Sequence, residues 1–271
     1  MSGKRLPTVL RLFILGAVLL RPVPARTQDL EEAKSFSPSL GIEYFSRTLV
    51  WDEGLYTSKM TVAIGVLRAE REILLGFRFG LFAGYNLSNF NGLIFRQLPF
   101  SIDYEAGSIG SLLWGADLDK HLFTFGNIEI GAAAQFVMSM GRTKEFEIPS
   151  LNQNGLVKGK GTWQRFQAGP VVHYLGYEDF TPFLSITYNR LWGTFTMTET
   201  VQDLEGSEEK KITGRGQLGI TIGTEYKPSE RFSVKVDITA FPFNKLAGGL
   251  DVNYGASLKV LLSFGQGTRE P

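Results

Sequence analysis

The groups in this chain that could carry chemistry are few and scattered. Cysteine is absent, which excludes disulfides, thiolate metal sites, a Cys nucleophile and a lipidated N-terminal Cys. The two histidines, His121 and His173, fall in a short turn and near one end of a strand as the segments are read below. A solvated or lumen-facing imidazole is the ordinary reading there. Asp103 and Glu105 form a close carboxylate pair of the kind that can split its pKa values for acid–base work. They also alternate with Phe100, Ile102 and Tyr104, as polar residues on a strand face do. The run Val157-Lys158-Gly159-Lys160-Gly161 lacks the spacing and following helix of a phosphate cradle. Glu205 to Lys211 gathers acids and lysines around Gly206 and reads as a solvated loop tip, because a calcium site needs oxygen ligands at fixed alternating spacing. No catalytic, cofactor-binding or metal-ligating residue is assigned, and no enzymatic activity is expected.

The elements that would position these groups are strands. The chain has 271 residues with 28 Lys plus Arg against 27 Asp plus Glu, so bulk charge does not suggest a nucleic-acid partner. Residues 1–25 read as a secretory signal peptide: Lys4 and Arg5, an apolar core from Leu12 to Leu20 too short to span a membrane, then Val23-Pro24-Ala25 at a cleavage site. Arg11 and Arg21 lie close to the ends of that core. Removing the segment takes away four basic residues and no acid, leaving a slightly acidic mature chain. Residues 26–38, polar and acidic at Asp29, Glu31 and Glu32, read as a periplasmic lead-in. Beyond the leader no apolar run is long enough for a transmembrane helix, so an exported chain either is soluble or crosses a membrane as strands.

From Leu40 onward the sequence alternates with period two. Ile73, Leu75, Phe77, Phe79, Leu81, Ala83 and Tyr85 interleave with Leu74, Gly76, Arg78, Gly80, Phe82 and Gly84. The same pattern gives Ile42 to Val50, Met60 to Val66, Leu112 to Leu118, Ile128 to Met138, Phe166 to Tyr174, Pro182 to Tyr188, Leu218 to Tyr226 and Phe232 to Ala240. It ends on Val252, Tyr254, Ala256, Leu258, Val260, Leu262 and Phe264. That predicts about ten strands, an even number that allows closure as an up-and-down barrel. Pro170 cannot donate to a ladder, so a bulge or a missing bond is expected there.

Connections alternate in length. Arg68 to Glu72, Asp119 to His121, Gly176 to Asp179 and Lys227 to Arg231 are short, whereas Asn86 to Phe100, Gly141 to Lys160 and Thr198 to Lys211 are long and polar. Phe100, Ile102 and Tyr104 continue the parity of the following strand, as an outer hairpin would. Phe90, Phe95, Phe100 and Tyr104 either form an exposed patch for adhesion or for lipopolysaccharide acyl chains, or pack on one another to order the loop.

Aromatic residues fall near predicted strand ends: Tyr85, Tyr188, Trp192 and Tyr254 at the outer level, and Trp114, Tyr174, Tyr226, Phe232 and Phe264 at the inner one. This is the placement of a double aromatic girdle. The face opposite the apolar one carries Glu43, Arg47, Lys59, Arg78, Asp117, Glu129, Arg165, Arg215, Glu225, Lys235, Asp237 and Lys259. A charge facing lipid at mid-membrane costs roughly 2–4 kcal/mol, so these are expected to point into the lumen. Both signs in a narrow lumen predict an ion-paired plug, with a narrow ion path as the alternative.

Over Leu40 to Phe264, within a barrel domain of residues 39–264, the chain resembles small bacterial outer-membrane β-barrels of the OmpA, OmpX and opacity-protein class. The resemblance lies in the leader, the dyad alternation, the loop asymmetry and the aromatic-ended last strand. Residues 265–271 are a tail beyond it, a departure from the usual C-terminal assembly signal. The resemblance implies an all-β antiparallel transmembrane barrel with short periplasmic turns, longer extracellular loops and no cofactor. It further implies a non-enzymatic protein of the bacterial outer membrane whose outer loops serve structural or adhesive contacts. Its expected partners are membrane lipids, lipopolysaccharide and the barrel-assembly machinery. A narrow pore and an outer-membrane hydrolase or acyltransferase are the alternatives.

Overall fold

The computed structural model describes residues 37–52, 55–73, 76–99, 102–104, 107–147, 155–229, 232–241, 245–246, 249–250 and 253–262. The expected leader and all but the last two residues of the lead-in (1–36), Phe100, Glu105, Phe264 and the tail lie outside them.

The first half of the chain forms β1 (Ser37–Trp51), β2 (Tyr56–Glu72), β3 (Phe77–Asn91), a small hairpin of β4 (Leu93–Phe95) and β5 (Ile102–Tyr104), β6 (Ile109–Phe125) and β7 (Ile128–Ser139). The second half forms β8 (Thr143–Glu147), β9 (Gly155–Tyr174), β10 (Phe180–Val201), β11 (Leu204–Gly214), β12 (Leu218–Ser229) and β13 (Phe232–Phe241). A short hairpin of β14 (Lys245–Leu246) and β15 (Gly249–Leu250) then leads to β16 (Asn253–Leu262). Ten of these, β1, β2, β3, β6, β7, β9, β10, β12, β13 and β16, form a closed antiparallel ring. The ring closes where β16 pairs with β1, Val260 opposite Leu40 and Ala256 opposite Tyr44. Closure leaves no sheet edge, which is what a strand-built membrane crossing requires.

Strand alternation sorts the residues into an outward apolar row and an inward row. Ile42, Ile186, Ile222 and Ile238 are 54–64% exposed. Neighbouring strands add Leu40, Leu81 and Leu112 to the same outward surface. A continuous apolar belt of this kind would be untenable in water and is the expected surface toward lipid. The ends where β1 starts and β16 stops share a rim with the short connections from β2 to β3, β6 to β7 and β9 to β10, so that rim is the inner, periplasmic one.

Several connections differ from the sequence reading. The expected inner turns at Arg68 to Glu72 and Asp119 to His121 lie within β2 and β6, which run on to Glu72 and Phe125. The expected long outer loop from Thr198 to Lys211 is a tight hairpin, with Val201 paired to Leu204 and Thr194 to Lys211. At Pro170 the ladder to β10 is interrupted between the Val171–Ser185 and Ala168–Tyr188 pairs without a change of register. Ser185 Oγ donates to the Pro170 carbonyl there (2.8 Å).

The strands differ greatly in length. β9 has 20 residues and β10 has 22, while β13 and β16 have 10 each. About 9–11 residues suffice to cross a membrane as a tilted strand. The outer halves of β9 and β10 therefore stand clear of it. Above the short β13 and β16, β11 reaches across to β1, pairing Gly214 with Leu49 and Thr213 with Val50. The Arg215 amide donates to the Thr48 carbonyl (2.8 Å), and the Thr48 amide donates to Asn253 Oδ1 (2.6 Å). The outer half of the barrel is thus closed by a different set of strands from the inner half.

Candidate functional site in the barrel lumen

The lumen has two layers of opposite chemistry. Its outer half is filled by side chains that strand alternation turns inward: Leu49 on β1, Met60 and Val62 on β2, Phe90 on β3, Trp163 on β9, and Leu191, Phe195 and Met197 on β10, all without solvent exposure. The outer hairpin drops into the mouth above them. Leu93 and Phe95 are likewise fully buried, with Phe95 5.6 Å and Phe90 5.1 Å from Phe195, ring centre to ring centre. Of the two readings of this aromatic loop, Phe90 and Phe95 follow the second, packing inward. At the base of this layer Trp163 Nε1 donates to Ser88 Oγ (2.9 Å) and Ser88 Oγ donates to Asn86 Oδ1 (2.7 Å).

Glycines make room for these rings. Phe82 on β3 lies directly across the ladder from Gly115 on β6, and a Cβ on Gly115 would sit 2.2 Å from the ring. Phe183 faces Gly223 in the same way, at 2.4 Å. At these two positions lumenal glycine accommodates an aromatic ring.

Below the aromatic layer lies a charged one. Arg165 on β9 makes a two-armed ion pair with Glu43 on β1, its Nη2 donating to Oε2 at 2.9 Å and to Gln135 Oε1 at 2.8 Å. Asp117 on β6 accepts from Arg68 and from Gln135 Nε2 (2.8 Å). Lys259 on β16 donates to Glu70 on β2. Asp237 accepts from Ser257 Oγ at 2.5 Å, and Lys235 Nζ lies 4.3 Å over the Phe183 ring. Arg47 donates to the carbonyls of Arg215 (2.8 Å) and Gly216 (2.5 Å) while stacking on Phe241 at 3.8 Å. Nearer the inner rim, Glu129 lies 3.3 Å from His173 Nδ1 and 3.9 Å from His121 Nε2, so both histidines of the chain converge on one carboxylate. Glu225 stands opposite Lys235 in the ladder. Glu43, Arg47, Asp117, Arg165, Asp237 and Lys259 are among the groups that line a cavity of about 220 Å³.

Two of the expected lumenal charges are placed elsewhere, and Arg78 keeps the inward row but stands at its mouth. Lys59 is exposed on the outward row of β2, because Met60, Val62, Ile64 and Val66, expected to face lipid, are the inward row. Arg78 is exposed at the inner end of β3, opposite Asp119, and stands clear of the paired cluster. Arg215 lies in the break between β11 and β12 and enters the lumenal layer through its carbonyl. In their stead β2 supplies Arg68 and Glu70, whose positions near the expected turn hid them.

A second charged cluster lies at the outer rim, beyond Trp192. Lys210 on β11 pairs with Glu208 and Asp52, both at 2.7 Å, and its Nζ lies 4.8 Å over the Trp51 ring. Burial works against the ammonium, but the hydrogen bonds to Asp52 and Glu208 outweigh it, and the pKa of Lys210 is raised. Glu208 also accepts from the Gln97 amide (2.7 Å), which ties the capping hairpin to the rim. The segment read as a solvated loop tip is therefore a strand with two buried charges.

Of the expected girdle, Tyr85, Tyr174, Tyr188, Tyr226, Phe232 and Tyr254 are exposed on the outward row and Trp192 is half-buried. Phe180 stacks on Tyr226 at 4.6 Å near the inner rim. Trp114 is outward but not at the inner level: it pairs with Ala83, only two residues inward of Tyr85, while β6 continues to Phe125.

Among the described residues no group of three His, Cys, Asp or Glu side chains is disposed to hold a metal ion. No protein-family model matches the sequence and no curated protein is significantly similar to it. Solved structures with a similar course of the chain include the translocator domain of the autotransporter NalP from Neisseria meningitidis (TM-score 0.44, 10% identity, covering 95% of this chain and 97% of that one). The outer-membrane protease OmpT from Escherichia coli (0.41, 13%, 85% and 96%) and the toluene transporter TodX from Pseudomonas putida (0.36, 14%, 84% and 67%) are others. The closed ring, the outward apolar belt and the short inner turns make this protein a transmembrane β-barrel of the bacterial outer-membrane type.

Proposed function

We propose that the protein is a non-conducting, non-enzymatic outer-membrane barrel that holds rigid β-hairpins above the membrane for structural or adhesive contacts. One observation carries this reading: the outer half of the lumen is packed with Phe90, Phe95, Trp163, Phe195 and their neighbours at zero exposure. Rings interlocked in this way leave no polar route for a hydrated ion, whose transfer into an apolar layer is prohibitive. The same packing stiffens β9, β10 and β11 where they rise beyond the lipid, giving the hairpins a fixed base. Lipids and lipopolysaccharide meet the apolar belt, and the barrel-assembly machinery delivers the chain.

Solute retention tests the reading. Liposomes carrying the refolded protein are expected to keep a trapped small sugar as well as empty liposomes do, and rapid swelling in an isotonic solution of that sugar would contradict it. Lipid A and peptide substrates are expected to remain unchanged on incubation with the same preparation.

A further inference from the structure

Going beyond the proposed display role, one lumenal charge is left incomplete by the protein itself. Arg47 is 2% exposed, and its Nη2 is engaged by the carbonyls of Arg215 and Gly216. Its Nε and Nη1 have no acceptor, so three of the five N–H donors of the guanidinium are free where it lines the cavity of about 220 Å³. The acids around the cavity do not answer it. Glu43 is taken up by Arg165, Asp117 by Arg68 and Asp237 by Ser257, and Asp119 stands toward the inner end opposite Arg78. Arg165 Nε, on the same cavity, is without an acceptor as well.

A buried cation with unsatisfied donors is stabilised by an anion that supplies both charge and acceptor oxygens, which water supplies only in part. We propose that this cavity binds a small oxyanion, with Arg47 as its anchor. The cavity lining extends from Arg47 to Asp119 near the inner end of β6. Outward of Arg47 the lumen is filled by Leu49 and Phe195. The anion therefore arrives from the periplasmic mouth. Compact ions with several acceptor oxygens, either tetrahedral like phosphate or planar like a carboxylate, fit the volume and the donor set.

Isothermal titration of the refolded full chain in detergent, at low ionic strength, tests this with inorganic phosphate and with acetate in separate runs. One saturable site per chain is expected for at least one of them, and the tighter ion identifies the tetrahedral or the planar class. Arg47→Met keeps the aliphatic stem against Phe241 and is expected to weaken binding at least tenfold. Ala133→Phe, which fills the cavity without touching Arg47, is expected to do the same. Should one variant fail to refold, the other decides. The absence of saturable binding with both ions, or wild-type affinity in a refolded variant, overturns the proposal.

Discussion

Phe82 and Gly115 face each other directly across the β3–β6 ladder, and the ring occupies the space a side chain at Gly115 would need. A Cβ there would also lie 2.3 Å from the Phe136 carbonyl oxygen, which belongs to the neighbouring strand and cannot move freely. Gly115→Ala is therefore expected to destabilise the barrel by about 1–3 kcal/mol, the usual range for overpacking. Urea unfolding of the refolded variant measures it, and a change within about 0.5 kcal/mol would show that the ring has another place to go.

The two lysines Lys59 and Lys259 are opposites in the structure although the sequence pattern groups them. Lys259 is held against Glu70, whose side chain is 5% exposed, whereas Lys59 is on the outward row of β2. Breaking a buried pair by removing one partner costs about 3–5 kcal/mol, while an exposed surface change costs about 0.5 kcal/mol or less. Lys259→Met should accordingly be strongly destabilising in the same unfolding assay and Lys59→Met nearly neutral. Equal effects would contradict the assigned strand faces.

At the outer rim, Lys210 holds Glu208 and Asp52 together and completes the tie to the capping hairpin through Gln97. Lys210→Met is expected to lower stability, since it leaves the 5%-exposed Glu208 side chain without its cation. The raised pKa of Lys210 sets the pH dependence. A group whose pKa is higher in the folded state contributes fully below its unfolded value and loses that contribution as pH rises through the folded value. The stability gap between wild type and Lys210→Met should hold from neutrality to about the ordinary lysine value of 10.5 and close above it. A gap that instead closes on acidification to pH 6 would rule out this assignment.

Truncating the plug gives a further expectation. Phe195 touches both Phe90 and Phe95 with no solvent exposure, so Phe195→Ala should cost about 3–5 kcal/mol. Limited proteolysis should then cut the capping hairpin near Arg96, whose guanidinium donates to Tyr56 Oη (3.2 Å), faster than in wild type.

The sequence made the ring legible wherever one row is large and apolar and the other is small or polar, as in Phe77 to Tyr85 and Phe232 to Ala240. It failed at β2. Met60, Val62, Ile64 and Val66 are its larger apolar row, and assigning that row to lipid presumes a polar lumen. Here the outer lumen is itself apolar, so the larger residues face inward and Thr61, Ala63 and Gly65 face out. The reading of Arg68 to Glu72 as a turn concealed Arg68 and Glu70, which follow Val66 on the inward row. The lumenal glycines Gly115 and Gly223 mark places where a large side chain lies across the ladder. Their neighbours across the ladder are Phe82 and Phe183, and pairing of an inward glycine with an inward phenylalanine on the next strand is visible once the register is known. Arg47 was found by parity, but its lack of an acid partner depends on β11 crossing to β1, a long-range pairing that no local pattern announces.

The sealed outer lumen is the central claim, and single-channel recording tests it most directly. Refolded wild-type protein in a planar bilayer at high salt is expected to give no discrete conductance steps at either polarity. Reproducible steps that persist with purified monodisperse protein would contradict the packing of Phe90, Phe95 and Phe195 as a closed plug.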